Sequence, residues 1–484
     1  RWIAVSDGGY FESGVGAEDL AGWIVNRGTG QTADFYPLSR FREQFLLPGV
    51  AGHALEARDG VKGAERALAA HARLPGQRRE EADARIEAMR RADLTQRAQA
   101  ARPEARLAPD VDPEEADQAP GFAQPIGPAP DRLPPIVDIL GPGGAATVGE
   151  PRLVLRLRVR SPAGAPVTAL STRVISASQL TRGLSPAPGA GEQTLAVDLP
   201  EEDAEVYVVA VNRWGSSVPA VVRVRYAGKP PAARGKGVLH VLAVGVSDYD
   251  NPGYRLGLAA KDARDFGRLA AGQQGRRYDR VESTVLTDKA AGKQAVERAL
   301  AELRGKVGPR DTTFVFLAGH GINDEAGEYL YLPREADLAR LAATGVSFRL
   351  MRQILTSLPG RTLLFVDTCH AGNALGDPRI GLSRDNTAAI NDLASVENNI
   401  IVFASSTGAQ ESVEDAAWGN GAFTKALIEG LAGAADFKRR GRVTYKQLDA
   451  YVADRVEELT RGRQTPVTPV LLSVPDFVLA ETGP

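Results

Sequence analysis

From Leu239 onward, short and wholly apolar runs alternate with amphipathic stretches, and this alternation restricts the fold more than any other feature of the chain. Leu239–Val246, Val281–Leu286, Thr313–Leu317, Thr362–Val366 and Asn399–Ala404 read as strands. Ala259–Ala271, Lys293–Val307, Phe348–Leu358, Ala422–Leu431 and Tyr445–Leu459 read as helices. Strands and helices in alternation imply right-handed crossovers and a parallel sheet. Such strands are buried on both faces, so their sequences are apolar throughout. Tyr329–Leu332 suits a small hairpin. Val467–Leu472 is expected as a last, edge-like strand because prolines flank and interrupt it.

In sheets of this kind, function collects outside the carboxyl ends of the strands. Two of the runs end on reactive side chains. Asp311–Gly321, DTTFVFLAGHG, delivers His320, and Arg361–Gly372, RTLLFVDTCHAG, delivers Cys369, the only cysteine in 484 residues. A thiol is mostly protonated at neutral pH and needs a base to become a nucleophile. If the two strands are neighbours, imidazole and thiol face one cleft. The alternative is a buried thiol and a loop histidine that never meet. His370 is a rival base by proximity, but adjacent side chains on a strand point apart, so it is expected to pack instead. Asp367 lies two residues before Cys369 and so shares its face. A carboxylate there would attract a cationic side chain. Gly319 and Gly321 would let the backbone approach a substrate closely.

The motifs AGHG (Ala318–Gly321) and DTCHAG (Asp367–Gly372) resemble the two catalytic motifs of caspase-like cysteine peptidases, peptidase family C14. Their spacing of about 50 residues is that of a caspase-type histidine and cysteine. The closer similarity is to metacaspases and bacterial orthocaspases, which carry Asp-x-Cys-His-x-Gly. The resemblance covers roughly 237–480. It is supported by LGLAAKDARDF (Leu256–Phe266), FASSTGAQES (Phe403–Ser412), GNGAFTKALIEGL (Gly419–Leu431) and RQTPV (Arg463–Val467). It implies an α/β caspase-like domain with a mostly parallel six-stranded sheet flanked by helices.

The resemblance also implies a mechanism: a Cys369–His320 dyad, with the backbone amides of Gly321 and Cys369 as the oxyanion hole. Metacaspases use an aspartate at the position of Asp367, and a second at the position of Asp262, to hold a basic side chain. The expected substrate is therefore a protein cut after arginine or lysine. The competing role for Asp262 is a helix cap or an arginine partner. Ala318 departs from the serine that some metacaspases place in the pocket wall. Ser405 and Ser406 are further candidates for lining it. Many metacaspases bind calcium through several aspartates; Asp324, Asp337 and Asp377 do not reproduce that cluster, so no metal or other cofactor is expected to be required, with calcium the open alternative. The long polar stretch 373–398 holds Arg379 and Arg384, where the enzyme could cut itself. The family points to stress, cell death or anti-phage defence, with a pore-forming protein among suitable targets. A second reading stays open, a silent caspase-like scaffold that only binds partners. A lipid or ester hydrolase has no G-x-S-x-G support.

The remaining chain suggests a multidomain protein. Lys and Arg number 58 against 60 Asp and Glu, so neither nucleic acid nor membrane is an expected partner. No run approaches a membrane span, and no secretory signal is visible. One cysteine excludes intramolecular disulfides and cysteine-cluster metal sites, and it suits a cytoplasmic location. The abrupt start at Arg1 suggests that the natural chain extends further. Residues 1–50 hold much of the aromatic content. Their pattern resembles the segment after the last blade of a bacterial WD-repeat propeller fused to a caspase-like domain; a small aromatic subdomain is the equal alternative. Residues 51–134 read as amphipathic helices followed by a Pro/Ala/acidic linker. Residues 135–228 carry alternating strands such as RLVLRLRVR (Arg152–Arg160), separated by Gly, Pro and Asn turns. They look like an immunoglobulin- or fibronectin-like sandwich acting as spacer or docking platform.

Overall fold

The computed structural model describes residues 3–5, 10–26, 32–47, 50, 53, 66, 132–186, 189–229, 235–324, 328–369, 386–394, 398, 400–406, 412–415, 417–469 and 476–483. The chain forms two compact units, Arg1–Arg132 and Leu133–Pro484. In the first, two antiparallel pairs, Ile3–Val5 with Phe11–Ser13 and Gly22–Val25 with Asp34–Pro37, accompany a knot of aromatic rings. Trp23 meets Phe41 edge-on at 5.0 Å and Phe45 at 4.9 Å. The expected helices of 51–106 lie outside the described residues, apart from His53 and Arg66, which are helical.

The second unit begins with a sandwich of β1 (Ile136–Gly141), β2 (Ala145–Val148), β3 (Arg152–Arg160), β4 (Val167–Ser176), β5 (Leu180–Pro186), β6 (Gly191–Asp198), β7 (Ala204–Asn212), β8 (Gly215–Ser216) and β9 (Ala220–Tyr226). One sheet has the order β6-β3-β1 and the other β2-β9-β7-β4-β5, with β8 on β7. Strict alternation in β3 turns Leu153, Leu155, Leu157 and Val159 inward and its arginines outward. The outward arginines find carboxylates on neighbouring strands: Arg158 on Glu192 at 2.5 Å and Arg160 on Asp138 at 2.8 Å. The row is thus a solvated sheet face.

The α/β part follows: β10 (Val238–Gly245), α1 (Ala259–Ala271), β11 (Arg280–Thr287), α2 (Lys293–Lys306), β12 (Thr312–Asn323), β13 (Tyr329–Tyr331), β14 (Val346–Ser347), α3 (Phe348–Leu355), β15 (Arg361–Cys369), α4 (Thr387–Leu393), β16 (Ile400–Ala404), α5 (Ala422–Glu429), β17 (Arg442–Thr444), α6 (Tyr445–Thr460) and β18 (Val478–Glu481). Five strands pair in parallel in the order β11-β10-β12-β15-β16. Chain order reverses between β10 and β12, which is where a doubly wound sheet opens a crevice. Of the expected sixth strand, Val467 forms an isolated antiparallel bridge to the sheet edge, exchanging backbone hydrogen bonds of 2.9 Å with Ala404. Residues 470–475 lie outside the described residues.

Phenylalanines on alternate positions unite one face of this sheet with α1. Phe266 of α1 stacks on Phe316 at 4.7 Å, and Phe365 stacks on Phe403 at 5.2 Å. Each ring removes on the order of 150–250 Å² from water, so this cluster anchors the sheet beneath the strand ends. Sandwich and α/β part are also in direct contact. Leu180 at the start of β5 donates its N–H to the Pro309 carbonyl at 3.0 Å and accepts from Gly360 at 3.1 Å. Arg361, 5% exposed, reaches the carbonyls of Ser176 at 2.5 Å and Ala177 at 2.8 Å.

Candidate active site

The backbones of His320 and Cys369 lie side by side. β12 and β15 are neighbours, and His320 and Cys369 are register partners at their carboxyl ends. Adjacent strands are about 4.8 Å apart, so the two backbones are immediate neighbours at the strand ends.

The His320 ring is fully buried and held on two sides by tyrosines. Tyr249 stacks on it at 5.1 Å, and Tyr254 stands edge-on at 6.5 Å. Its Nε2 lies 2.8 Å from the Tyr254 carbonyl oxygen. A carbonyl only accepts, so Nε2 carries the proton, and Nδ1 of the neutral ring is the basic nitrogen. The His320 N–H donates to the Tyr249 hydroxyl at 2.9 Å.

That bond leaves the next amide for other use. The His320 carbonyl accepts from Leu332 of the β12–β13 ladder at 2.9 Å. In a planar trans peptide the following N–H points the opposite way, so the Gly321 amide is directed away from β13. Gly321 admits no side chain, because its Cβ would fall on the Tyr329 hydroxyl. That hydroxyl bonds to Thr368 Oγ1 at 2.8 Å and ties β13 to the end of β15. Gly319 has a φ of +146°, and a Cβ there would lie 2.8 Å from the Tyr249 hydroxyl. Both glycines are thus required by the tyrosines that frame the strand end.

Asp262 and Asp367 meet below this end, 2% and 5% exposed respectively. A Cβ on Gly421 would lie 3.2 Å from an Asp262 oxygen and 3.4 Å from an Asp367 oxygen, so both carboxylates converge on that backbone. Asp367 accepts from Thr424 Oγ1 at 2.7 Å, and Ser405 and Ser412, whose hydroxyls are 2.7 Å apart, also bond to it. Asp262 accepts from Asn420 Nδ2 at 2.7 Å and from the Gly421 N–H at 3.2 Å. It lies in the first turn of α1 without serving as its cap. Burial, and then the neighbouring Asp367 charge, pushes the Asp262 carboxyl up to about 7. Burial likewise raises Asp367. Glu414 joins them: burial and Asp367 raise its carboxyl, which accepts the backbone amides of Gly257 and Leu258. Among the described residues, no lysine or arginine is paired with Asp262 or Asp367. Buried carboxylates without a cation favour a guest that brings one.

The other sequence-named residues sort differently. Ser406 is fully buried beside Ser405. Asp324 Oδ1 accepts the Glu328 amide at 2.9 Å. Asp337 caps a turn and pairs with Arg340 at 2.9 Å. Both carboxylates thus serve local structure, and no group of three metal-ligating side chains occurs among the described residues. His370, Asp377, Arg379 and Arg384 lie outside the described residues. Tyr249, Tyr254, Tyr329, Glu414, Asn420 and Thr424 were not singled out from the sequence. Their only local signal is position, since the first two come after a strand end and Asn420 and Thr424 open a helix.

Residues 239–472 match the family model Peptidase_C14, caspase domain. A search of curated proteins returns no match. Among solved structures, protein GSU0716 from Geobacter sulfurreducens is 18% identical, with 48% of this chain and 92% of that chain covered and a TM-score of 0.35. The tandem Ig repeats of Dlar are 21% identical, over 26% of this chain and 78% of that chain, at a TM-score of 0.15. Residues 239–472 are thus a caspase domain of the Peptidase_C14 family.

Proposed function

We propose that the caspase domain is a cysteine endopeptidase that cleaves proteins after arginine or lysine. Cys369 is the nucleophile, and His320 Nδ1 takes its proton. The thiolate adds to the scissile carbonyl carbon, and the oxyanion is held by the amides of Gly321 and Cys369. His320 then returns the proton to the leaving amine as the C–N bond breaks, and water hydrolyses the thioester. The basic side chain before the cut enters between Asp262 and Asp367, with Glu414 adding a third negative charge and Ser405 tying Asp367 in place. The observation that carries this reading is the register of His320 and Cys369 beside two converging buried carboxylates. Arg379 and Arg384 are candidate sites of self-cleavage within the same proposal, and a cytoplasmic location goes with the single cysteine.

The test is hydrolysis of fluorogenic peptides ending in Arg, Lys, Asp or Leu, with and without calcium, by the wild-type chain and Cys369→Ala. Turnover of the Arg and Lys peptides alone, absent in Cys369→Ala, is expected. No turnover of any peptide across pH would make the domain a binding scaffold.

A further inference from the structure

The amino-terminal end of the sheet, opposite His320 and Cys369, carries a basic cavity that the peptidase reading does not use. Its volume is about 490 Å³, and its wall presents Lys236, Arg277, Lys438, Arg440 and Arg442 against two carboxylates, Asp476 and Glu481. The whole chain carries a net charge of −2, so this excess of cations is local. Glu481 is engaged at 3.7 Å by Lys236. Arg277 is fixed by a 3.0 Å bond from its Nε to the Val478 carbonyl. Among the described residues, Lys438, Arg440 and Arg442 have no carboxylate within salt-bridge distance.

The basic run is held in a formed turn. Asp436 Oδ2 accepts the amides of Gly441 at 2.7 Å and Arg442 at 3.3 Å. Arg439 and Gly441 both adopt left-handed backbone, with φ of 48° and 69°. That conformation is unfavourable for an arginine and persists only where its surroundings impose it. The turn therefore gathers like charges that repel one another around one concavity. The repulsion reaches inward: Arg277 helps burial lower the Arg361 pKa to about 10.

We propose that this cavity binds a small soluble polyphosphate, of the nucleoside-triphosphate or inorganic polyphosphate type. Guanidinium groups take phosphate oxygens two at a time, and lysine supplies point charges between them. The volume lies in the range of small-molecule sites, and the concave shape suits a ligand that enters. An occupant would touch Ala177 of the sandwich, Lys236 before β10 and the paired strands β17 and β18 together. It would also border Phe477, whose ring lies 4.7 Å below the Arg361 guanidinium. Arg361 begins the strand that ends at Cys369, so occupancy stiffens the seam from which that strand starts.

The test uses the full chain with tripolyphosphate and ATP as probes, at constant ionic strength. Calorimetric titration should give saturable one-to-one binding, and the melting temperature should rise with ligand. Arg440→Glu and Lys438→Glu, both at exposed positions, should each weaken binding about tenfold or more, whereas Arg440→Lys should keep it within about threefold. Unliganded melts verify folding; if a charge reversal fails to fold, Lys438→Gln carries the test. The proposal is overturned by absent saturable binding, or by unchanged affinity in the charge-reversed forms. It is equally overturned if the chain binds vesicles containing phosphatidylinositol bisphosphate but not soluble tripolyphosphate.

Discussion

Asp367 and Asp262 show how a single carboxylate acquires meaning from its surroundings. Asp367 hangs on hydroxyl donors, Asp262 on amides, and the Asp367 charge adds to burial in raising the Asp262 carboxyl. Asp367→Asn is expected to cut kcat/KM for an arginine peptide at least about a hundredfold, roughly 3 kcal/mol, mostly through KM. Thiol labelling by iodoacetamide should stay near wild type in that variant, separating substrate binding from the nucleophile. The pH dependence comes from Asp262. Its folded pKa of about 7 exceeds its unfolded value near 3.9, so the folded chain holds a proton that the unfolded chain has released. That stabilisation is complete below about pH 4 and is lost as pH rises toward about 7. Melting temperatures of Asp262→Asn relative to wild type should therefore improve steadily from about pH 4 to pH 8. An unchanging difference would contradict the buried-carboxylate account. For the enzyme, kcat/KM on arginine peptides should climb through the same region. Both aspartates were legible in the sequence because each lies in a family motif. Glu414 was not, since it meets them only through a fold that returns from β16.

At the level of elements, the parallel sheet was readable because burial on both faces leaves apolar runs with no alternation to obscure them. The register of β12 on β15 could only be expected as a neighbour relation; a one-residue slip would have separated His320 from Cys369. The β17–β18 pair escaped notice. Three or four residues with a mixed pattern carry no period to detect, and their pairing partner lies far along the chain. The β12–β13 hairpin was expected, but its role was not: Tyr329 reaches across Gly321 to Thr368. Tyr329→Phe should cost about 1 kcal/mol by denaturant melts. Gly321→Ala should cost more and lower kcat by about tenfold or more, because the intruding methyl displaces Tyr329 and the amide beside it. Equal activity of Gly321→Ala and wild type would argue against that amide as an oxyanion donor.

At the scale of the whole molecule, the sandwich is bonded to the caspase domain through β5 and Arg361. Composition revealed the sandwich, with its alternating strands, but not the docking. The contact depends on backbone carbonyls of Ser176 and Ala177, which leave no mark in a sequence. Arg361→Met keeps bulk but abandons those carbonyls, and should destabilise the second unit by about 2–3 kcal/mol. Limited proteolysis should then open the junction near 229–237 sooner than in wild type. The caspase domain carries its cysteine–histidine strand ends at one pole and its sandwich seam at the other. The most direct measurement of the central claim is covalent labelling with a peptide chloromethyl ketone ending in arginine, read by intact mass and peptide mapping. The account predicts one adduct per chain, on Cys369, slowed strongly by Asp367→Asn and absent when the peptide ends in aspartate. No adduct, or labelling of Cys369 at the same rate whatever the terminal side chain, would contradict it.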